Sequence, residues 1–191
     1  MITSSCEASL PTDYGTFRVR AFRDPEGREH LAVYKGDIKS ERVPVRVHSQ
    51  CTTGDTFHSL RCDCGKQLIK ALKYIQSEGN GVVLYMEQEG RGIGLFNKIN
   101  AYLLQENGSD TVEANEKLGF ESDLRTYTVA AEMLKCLRVK SVLLMTNNMQ
   151  KMKGLEEASI KVEGRIPLIT KPNKYNRRYL HDKKVKMDQL L

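Results

Sequence analysis

Two short, uninterrupted apolar runs limit the folds that this chain can adopt. "GVVLYM" at 81–86 and "SVLLMT" at 141–146 lack the polar alternation of a strand with one wet face, so each is predicted to be a buried strand. Leu68, Leu72 and Ile75 at helical spacing predict a helix at about 65–78, before the first run. Val129, Met133, Leu134 and Leu137 predict another at 126–139, before the second run. Such alternation of strands and helices predicts a mixed sandwich of sheet and helix.

The first fifty residues are rich in β-formers. Strands are predicted at 16–24 and 30–36, around the turn "DPEGRE", and at 43–49, where three valines share one face. The predicted fold class is therefore α+β (mixed α/β). An N-terminal β-rich part is followed by alternating helices and strands in a single compact domain.

The remaining elements are less strongly patterned. Helices are predicted at about 96–106, at 111–119 and in "LEEASI", an extended segment in "KVEGRIPL", and a turn in "NNMQK". No internal repeat or low-complexity linker divides the chain. We expect one catalytic domain over residues 1–170 and a basic C-terminal tail over 171–191, whose run of charges is typical of a solvated, mobile segment.

Composition narrows the function classes. The chain has 30 Lys and Arg against 24 Asp and Glu, a net charge of +6, which suits an anionic partner such as a nucleotide. Aromatic residues make up 7% and Trp is absent, so no stacking surface for nucleic acid is expected. No run of about 18 apolar residues predicts a membrane span. The N-terminus does not resemble a signal peptide, so we expect a cytoplasmic protein with reduced cysteines.

Three cysteines lie close together in "HSQCTTGDTFHSLRCDCG". A catalytic zinc site commonly has three protein ligands and an open fourth position, and Cys51, Cys62 and Cys64 match that number. His48 or His58 can instead complete a closed site. A disulfide between residues two apart would be badly strained. The alternative reading is that these are ordinary buried cysteines.

The loop "EQEGRGIG" at 87–94 follows a predicted strand and precedes a predicted helix, a place where helix N-terminal amides bind anions. Arg91 can pair with a phosphate through two hydrogen bonds. Glu87 and Glu89 would repel phosphate unless a cation such as Mg²⁺ is bound. The loop matches neither the Walker nor the dinucleotide fingerprint, and a plain polar turn is the alternative.

Taken in order, several motifs resemble those of GTP cyclohydrolase II: "RVHSQCTTGDTFHSLRCDCGKQL", "QEGRGIGL", "DTVEAN", "LGF-x-x-D-x-R", "TNN", "R-x-P-L" and "N-x-x-N-x-x-YL". The resemblance covers roughly residues 11–191. It implies a homodimer that uses zinc and Mg²⁺ to convert GTP into 2,5-diamino-6-ribosylamino-4(3H)-pyrimidinone 5′-phosphate, formate and pyrophosphate. This is the first committed step of riboflavin synthesis. The length implies a stand-alone enzyme without a dihydroxybutanone-phosphate synthase domain.

The resemblance also implies roles for individual residues. The three cysteines would hold one Zn²⁺ per subunit, whose activated water attacks C8 of guanine. Tyr102, Asp123 and Arg125 would be catalytic, with Arg125 at the α-phosphate. Because a guanidinium has a pKa above about 12, we assign Arg125 electrostatic stabilisation rather than nucleophilic attack. The implied substrate contacts are Arg46, Val47, His48, Ser49, Gln50, Gln67, Glu89, Gly90, Arg91, Thr111, Thr146 and Lys151.

Two positions depart from the family pattern. Gln50 stands where the family reads Glu in "HSEC", so a carboxylate is lost beside the first cysteine. His58 replaces a small residue and either approaches the metal or faces solvent. These changes leave two alternatives open: a paralogue that opens the ring but retains the formyl group, and a non-catalytic, zinc-stabilised GTP-binding protein. Without the resemblance, "DLR" at 123–125 also fits a helix N-cap with an exposed arginine. Tyr102 then fits a packed helix residue.

Overall fold

The chain folds around one mixed sheet in the computed structural model, which describes residues 1–121, 123–186 and 190, without the side chains of Arg178 and Lys186. The described strands are β1 (Thr3–Ser4), β2 (Ala8–Thr12), β3 (Gly15–Arg23), β4 (Glu29–Lys35), β5 (Val43–Ser49), β6 (Gly81–Met86), β7 (Val142–Met145) and β8 (Val162–Ile166). They lie in the order β1-β3-β4-β6-β5-β7-β8, and β2 also pairs with β3.

The sheet has an antiparallel half and a parallel half. Strand β3 runs antiparallel to β1, β2 and β4, and β4 runs antiparallel to β6. Strand β5 runs parallel to β6 and β7, and β7 runs parallel to β8. The carboxyl ends of β5, β6 and β7 therefore meet at one edge of the sheet, where ligands bind in open α/β folds.

Helices and short helical turns connect and cover the strands. They are α1 (Thr52–Asp55), α2 (Cys64–Glu78), α3 (Gly94–Glu106), α4 (Thr111–Lys117), α5 (Thr128–Cys136), α6 (Met149–Glu157) and α7 (Arg177–Lys186), with a 3₁₀ turn at Glu89–Gly92. Local signals set several ends. Asp110 and Glu113 form a capping box at the start of α4, and Gly79 ends α2 with a φ of 70°.

The two apolar runs are buried on both faces, as predicted. Val82 and Leu84 of β6 pack in a cluster with α5 and α6, whereas Val83 packs on the opposite face against Ala71 and Ile75 of α2. This arrangement confirms the α+β (mixed α/β) fold and the single compact domain. No helix within the described ranges has both the length and the apolar character needed to cross a membrane.

The predicted turn at 147–151 is wrong, because α6 already begins at Met149. The Asn148 side chain caps it by accepting a hydrogen bond from the Gln150 backbone N–H at 2.9 Å. Strands β1 and β2 were also not predicted. Strand β1 consists of two polar residues, and β2 contains Pro11, which argues against a strand. Both are mostly exposed. Only their pairing with β3 makes them strands.

The C-terminal segment also differs from the solvated tail expected from its charges. Residues 177–186 form α7, and Leu180, Asp182 and Lys183 on this helix are buried. A run of charges alone does not report this burial, because the partners lie far away in the sequence. The domain boundary at 170/171 stays a prediction.

Candidate active site

A cavity opens at the edge of the sheet where β5, β6 and β7 end. Its lining includes one carboxylate, Glu89, and seven cationic side chains: Arg46, Arg61, Arg91, Lys98, Arg125, Lys151 and Lys183. Such an excess of positive charge in a concave site attracts a strongly anionic ligand.

The three cysteines converge at this cavity. Cys51 precedes α1, and Cys62 and Cys64 stand at the start of α2. Their Sγ atoms all lie within 4.8 Å of one another, and no other cluster of this kind was found in the part of the chain that the structure describes. His58 is exposed and outside the cluster, so of its two predicted positions it takes the solvent-facing one.

The surroundings of the thiols fit a metal ion. A Cβ atom at Gly54 in α1 would lie 2.8 Å from Cys62 Sγ and 3.1 Å from Cys51 Sγ, so a side chain there would push the sulfurs apart. Three converging sulfurs are the donor set of a zinc site with an open position. Simple core packing of cysteines does not require this convergence.

The thiols strongly affect one another. Hydrogen bonds from Cys62 and Cys64 lower the pKa of Cys51 far below its usual value, and Lys98 lowers it further. Hydrogen bonding with Cys51 raises the pKa of Cys62 to about 11 and that of Cys64 well above its usual value. One negative charge is therefore shared by the trio, and a bound cation would displace the remaining protons.

Lys98 connects the thiols to the loop after β6. Its Nζ donates to Glu89 Oε1 at 2.7 Å, to Thr53 Oγ1 at 3.0 Å and to Cys51 Sγ at 3.1 Å. Burial opposes its charge, but Glu89 and Cys51 raise the pKa of Lys98 above its usual value. Glu89 also accepts the Thr52 backbone N–H at 2.6 Å. Protein donors thus occupy the Glu89 carboxylate.

Tyr102 stands at the thiol end of the cavity. Its hydroxyl lies 3.2 Å from Thr53 Oγ1, and the Arg61 guanidinium stacks 4.3 Å above its ring centroid. Burial is the main cause that raises the pKa of Tyr102. The hydroxyl is therefore protonated at neutral pH, and Thr53 Oγ1, which lies 3.8 Å from Cys51 Sγ, links it to the cluster.

Two further buried cations, Arg46 and Lys151, line the cavity. The Arg46 guanidinium donates to the Met145 carbonyl at 2.9 Å and to Gln67 Oε1 at 2.6 Å, while its Nε has no hydrogen-bond partner among the described residues. Lys151 Nζ donates to the Val47 carbonyl at 2.8 Å. Burial lowers the pKa of Arg46 to about 10 and that of Lys151 well below its usual value. An anionic ligand would offset both desolvation penalties.

Arg125 also lines the cavity, and its guanidinium forms an ion pair with Asp123. Arg125 Nε donates to Asp123 Oδ1 at 2.8 Å, and its Nη2 makes a second contact with the same carboxylate. Burial opposes the charge of Asp123, but Arg125 lowers its pKa below the usual value. Asp123 lies in a neighbouring groove rather than in the cavity lining. This geometry favours orientation of the guanidinium over a role for Asp123 as a base.

Comparison with known proteins agrees with these features. A sequence model described as GTP cyclohydrolase II matches residues 3–167. This chain belongs to the GTP cyclohydrolase II family.

Similar proteins include two curated relatives named riboflavin biosynthesis protein RibBA. The one from Endomicrobium trichonymphae is 53% identical over 192 residues, and the one from Chlorobium phaeovibrioides is 50% identical over 193 residues. Each alignment covers 100% of this chain but 48% and 47% of the relative, so the chain spans about half the length of these relatives. A solved structure of RibBX, a two-domain 3,4-dihydroxy-2-butanone 4-phosphate synthase from A. baumannii, aligns with a TM-score of 0.45 and 19% identity over 86% of this chain and 40% of that one.

Most residues that the resemblance to GTP cyclohydrolase II indicated come together in the cavity lining. Two do not line it: Asp123, and Val47, whose side chain is in the core. Glu87 also lies outside the lining and accepts the Glu29 backbone N–H at 2.9 Å. The indicated residues that line the cavity are Arg46, His48, Ser49, Gln50, Cys51, Cys62, Cys64, Gln67, Glu89, Gly90, Arg91, Tyr102, Thr111, Arg125, Thr146 and Lys151.

The sequence patterns did not indicate several residues of this candidate site. Lys98 precedes Tyr102 by four residues on α3, and this helical spacing was the available signal. Asp55 accepts hydrogen bonds from the Cys51 backbone N–H at 2.9 Å and the Tyr85 hydroxyl at 3.0 Å, and His48 Nε2 lies 3.1 Å from it. Only the fold reveals the positions of Tyr179 and Lys183 of α7.

Proposed function

We propose that the chain is a zinc-dependent GTP cyclohydrolase II that hydrolyses GTP to 2,5-diamino-6-ribosylamino-4(3H)-pyrimidinone 5′-phosphate, formate and pyrophosphate. This would be the first committed step of riboflavin synthesis. The observation that carries the proposal is the cluster of three thiols in a cavity that one carboxylate and seven cations line. The family and the names of the relatives support the same reaction.

Cys51, Cys62 and Cys64 would hold one Zn²⁺ per subunit. A bound zinc would supply an activated water at neutral pH and polarise the base. Tyr102 would hold or move a proton near the opened ring. The Gln67 amide is oriented by Arg46 on its oxygen side and by Asp63, which accepts from Gln67 Nε2 at 2.6 Å. Its remaining donor and acceptor capacity suits an edge of guanine.

The triphosphate would lie against cations of the cavity lining, accompanied by Mg²⁺. Arg46, Arg91, Arg125 and Lys151 are the proposed contacts, because guanidinium and ammonium groups bind phosphate through charge-assisted hydrogen bonds. Arg125 would stabilise negative charge at the α-phosphate, and Asp123 would keep its guanidinium in place.

Gln50 favours a second candidate, a paralogue that opens the ring but retains the formyl group. Its side chain lines the cavity beside Cys51, where the family pattern has a carboxylate. The amide Nε2 lies 3.4 Å from Thr52 Oγ1, so it is placed within the site. An amide can hydrogen-bond the base but cannot accept a proton as a carboxylate does.

We also propose a homodimer located in the cytoplasm. On α3, Phe96, Ile99 and Leu103 share one face and are exposed, which suits contact with a second copy. The five cysteines are free thiols, which supports a reducing compartment. Light scattering after gel filtration would measure the mass in solution, and a mass of one chain would contradict the dimer.

The central experiment quantifies formate and pyrophosphate separately after zinc-loaded protein is incubated with GTP and Mg²⁺. Equal amounts of the two products support the full reaction. Pyrophosphate without formate, together with a formamide detected by mass spectrometry, supports the ring-opening paralogue. Bound GTP without either product contradicts both enzyme candidates.

Replacing one thiol tests the zinc assignment. We expect Cys62→Ser to lower bound zinc from one ion per subunit to a small fraction and to abolish formate release, because a site with two thiolates binds zinc weakly. Cys136→Ser removes an exposed thiol and is the matched control. Its zinc content and formate release should equal those of the wild type. Full zinc content in Cys62→Ser would contradict the assignment.

A further inference from the structure

The helix α7 supplies two side chains to the cavity although the match to the family model ends at residue 167. Tyr179 and Lys183 are four residues apart, about one helical turn, and both line the cavity that contains the cysteines. Tyr179 is part of the motif "N-x-x-N-x-x-YL", but the family resemblance implied no contact with substrate or metal for it, and Lys183 lies outside the motifs. Helix α7 is therefore a wall of the site to which no role has been assigned.

Contacts other than Lys183 set the position of α7. Asp182 Oδ2 accepts from the Thr111 hydroxyl at 3.2 Å, at the start of α4. Leu180 is buried, and Asn173, just before the helix, donates to the Leu60 carbonyl at 3.1 Å. The helix thus rests on two elements that border the cavity, and Lys183 does not have to hold it there.

The ammonium of Lys183 makes one long contact with a carboxylate. Its side chain is 11% exposed, and Nζ lies 3.3 Å from Asp63 Oδ1. Asp63 also accepts from Gln67 Nε2 at 2.6 Å and from Thr170 Oγ1 at 3.2 Å, so its carboxylate is shared by three donors. An ammonium carries three N–H donors, and a long contact with a shared carboxylate leaves capacity for a further acceptor.

Tyr179 holds the ammonium and keeps it charged. Lys183 Nζ lies 4.3 Å from the centroid of the Tyr179 ring, a cation–π distance. Burial opposes the charge, but Tyr179 and Asp63 raise the pKa of Lys183 above its usual value. The lysine is therefore a cation at neutral pH, buried beside six others that line the same cavity.

Burying an ammonium costs desolvation energy and side-chain entropy. Lys183 is buried in a cavity whose lining has a large excess of positive charge. The neighbouring cations repel it there. A polyphosphate in the cavity would supply the missing negative charge, and its oxygens accept hydrogen bonds from ammonium groups.

We propose that Lys183 binds a phosphate oxygen of the nucleotide, and that Tyr179 acts as its positioning residue while α7 covers the cavity. The inference rests on the proposed function, since it takes the ligand to be GTP. It adds a substrate-binding residue from a helix that the family model does not include.

The experiment compares Lys183→Ala and Lys183→Arg with Lys184→Ala, which removes an equal charge from an exposed position on the same helix. Steady-state KM and kcat for GTP, zinc content and melting temperature are measured for each. We expect Lys183→Ala to raise KM for GTP about tenfold or more, as loss of a charge-assisted hydrogen bond implies. Zinc content should stay as in the wild type, and the melting temperature should fall because the buried Asp63 loses its cation. Lys183→Arg should recover most of the affinity and of the melting temperature, and Lys184→Ala should match the wild type.

Two results would overturn the phosphate contact. One is a KM of Lys183→Ala equal to that of Lys184→Ala in a protein that converts GTP, and this leaves the proposed function intact. The other is a loss of zinc in Lys183→Ala that parallels the rise in KM, or a Lys183→Arg variant that restores the melting temperature without restoring KM. Lys183 would then only hold Asp63 in place between Cys62 and Cys64. A wild-type protein that does not retain GTP in equilibrium dialysis would instead overturn the proposed function and this inference together.

Discussion

At the scale of single residues, Lys98 connects the thiol cluster to the loop after β6. Its ammonium contacts Cys51 of the thiol cluster and Glu89 of the loop after β6. Both Lys98 and Glu89 are largely buried, so the ion pair offsets part of the desolvation cost of each group. The negative charge of the thiols and that of the loop are thus balanced by one side chain.

Lys98→Met tests this balance. We expect the free energy of unfolding to fall by about 3 kcal/mol, because the Glu89 carboxylate would remain buried without its cation. Activity should fall by about tenfold or more, as for other losses of support to metal ligands. Urea unfolding and formate release measure the two effects, with exposed Lys39→Met as control. A loss of stability below about 1 kcal/mol would show that Glu89 is compensated by other groups.

At the scale of elements, the short helix α1 brings the first cysteine to the other two. Its Gly54 is buried against the sulfurs, and Asp55 at its end accepts the backbone N–H of Cys51. The helix is too short to be stable alone. The conformation of α1 therefore depends on these contacts. The position of Cys51 in the thiol cluster depends in turn on the conformation of α1.

Gly54→Ala should disturb the cluster without unfolding the chain. The added Cβ would lie 2.8 Å from Cys62 Sγ, closer than packed atoms allow, so zinc affinity should fall by about 10- to 100-fold. Competition with a chromophoric chelator measures the affinity, and circular dichroism checks the fold. Thr56→Ala, at an exposed position at the end of α1, is the control. Unchanged zinc affinity in Gly54→Ala would mean that the cysteines can shift to accommodate a methyl group.

The hairpin of β3 and β4 predicts a pH dependence of stability. Burial opposes the charge of Asp24, but hydrogen bonds from Arg28 and His30 lower its pKa from 3.8 to about 2. A carboxylate with a lowered pKa in the folded state stabilises the protein above pH 4, and this contribution is lost as the pH falls through 2. Asp24→Asn should flatten the fall in unfolding free energy between about pH 5 and pH 2, whereas exposed Asp13→Asn should not. Identical pH profiles for Asp24→Asn and the wild type would contradict this assignment.

At the scale of the whole molecule, the thiol cluster lies outside the two apolar clusters that form the core. The sheet packs against α5 and α6 on one face and α2 on the other without any cysteine ligand. A bound zinc would therefore add stability to a fold that does not require it.

Zinc removal should separate fold from function. After chelation we expect formate release to stop and the melting temperature to fall, while the far-ultraviolet circular dichroism stays unchanged. The lost stability should be about 2.7 kcal/mol if free zinc had been 100 times its Kd. Calorimetry with and without the chelator measures it. Collapse of the dichroism signal would show that the fold depends on the metal.

The sequence by itself determined the central elements and the thiol trio. Continuous apolar runs predicted β6 and β7, helical spacing predicted α2 and α5, and the spacing of the three cysteines indicated a metal site. These signals are local, because each residue reports its own burial or lies within a few turns of its partners. The family motifs added most of the cavity lining, since they name residues whose spatial meeting no periodicity can reveal.

Only the tertiary structure decided which distant residues meet. Lys98 and Cys51 are 47 residues apart, and Lys183 and Asp63 are 120 apart. Such pairs form because the sheet order places the ends of β5, β6 and β7 at one edge, and because α7 packs over that edge. The sequence predicted a solvated tail there, since a run of lysines has the same pattern whether water or a buried carboxylate faces it. The order of strands and the packing of α7 depend on the free energy of the whole chain, and no local pattern contains that information.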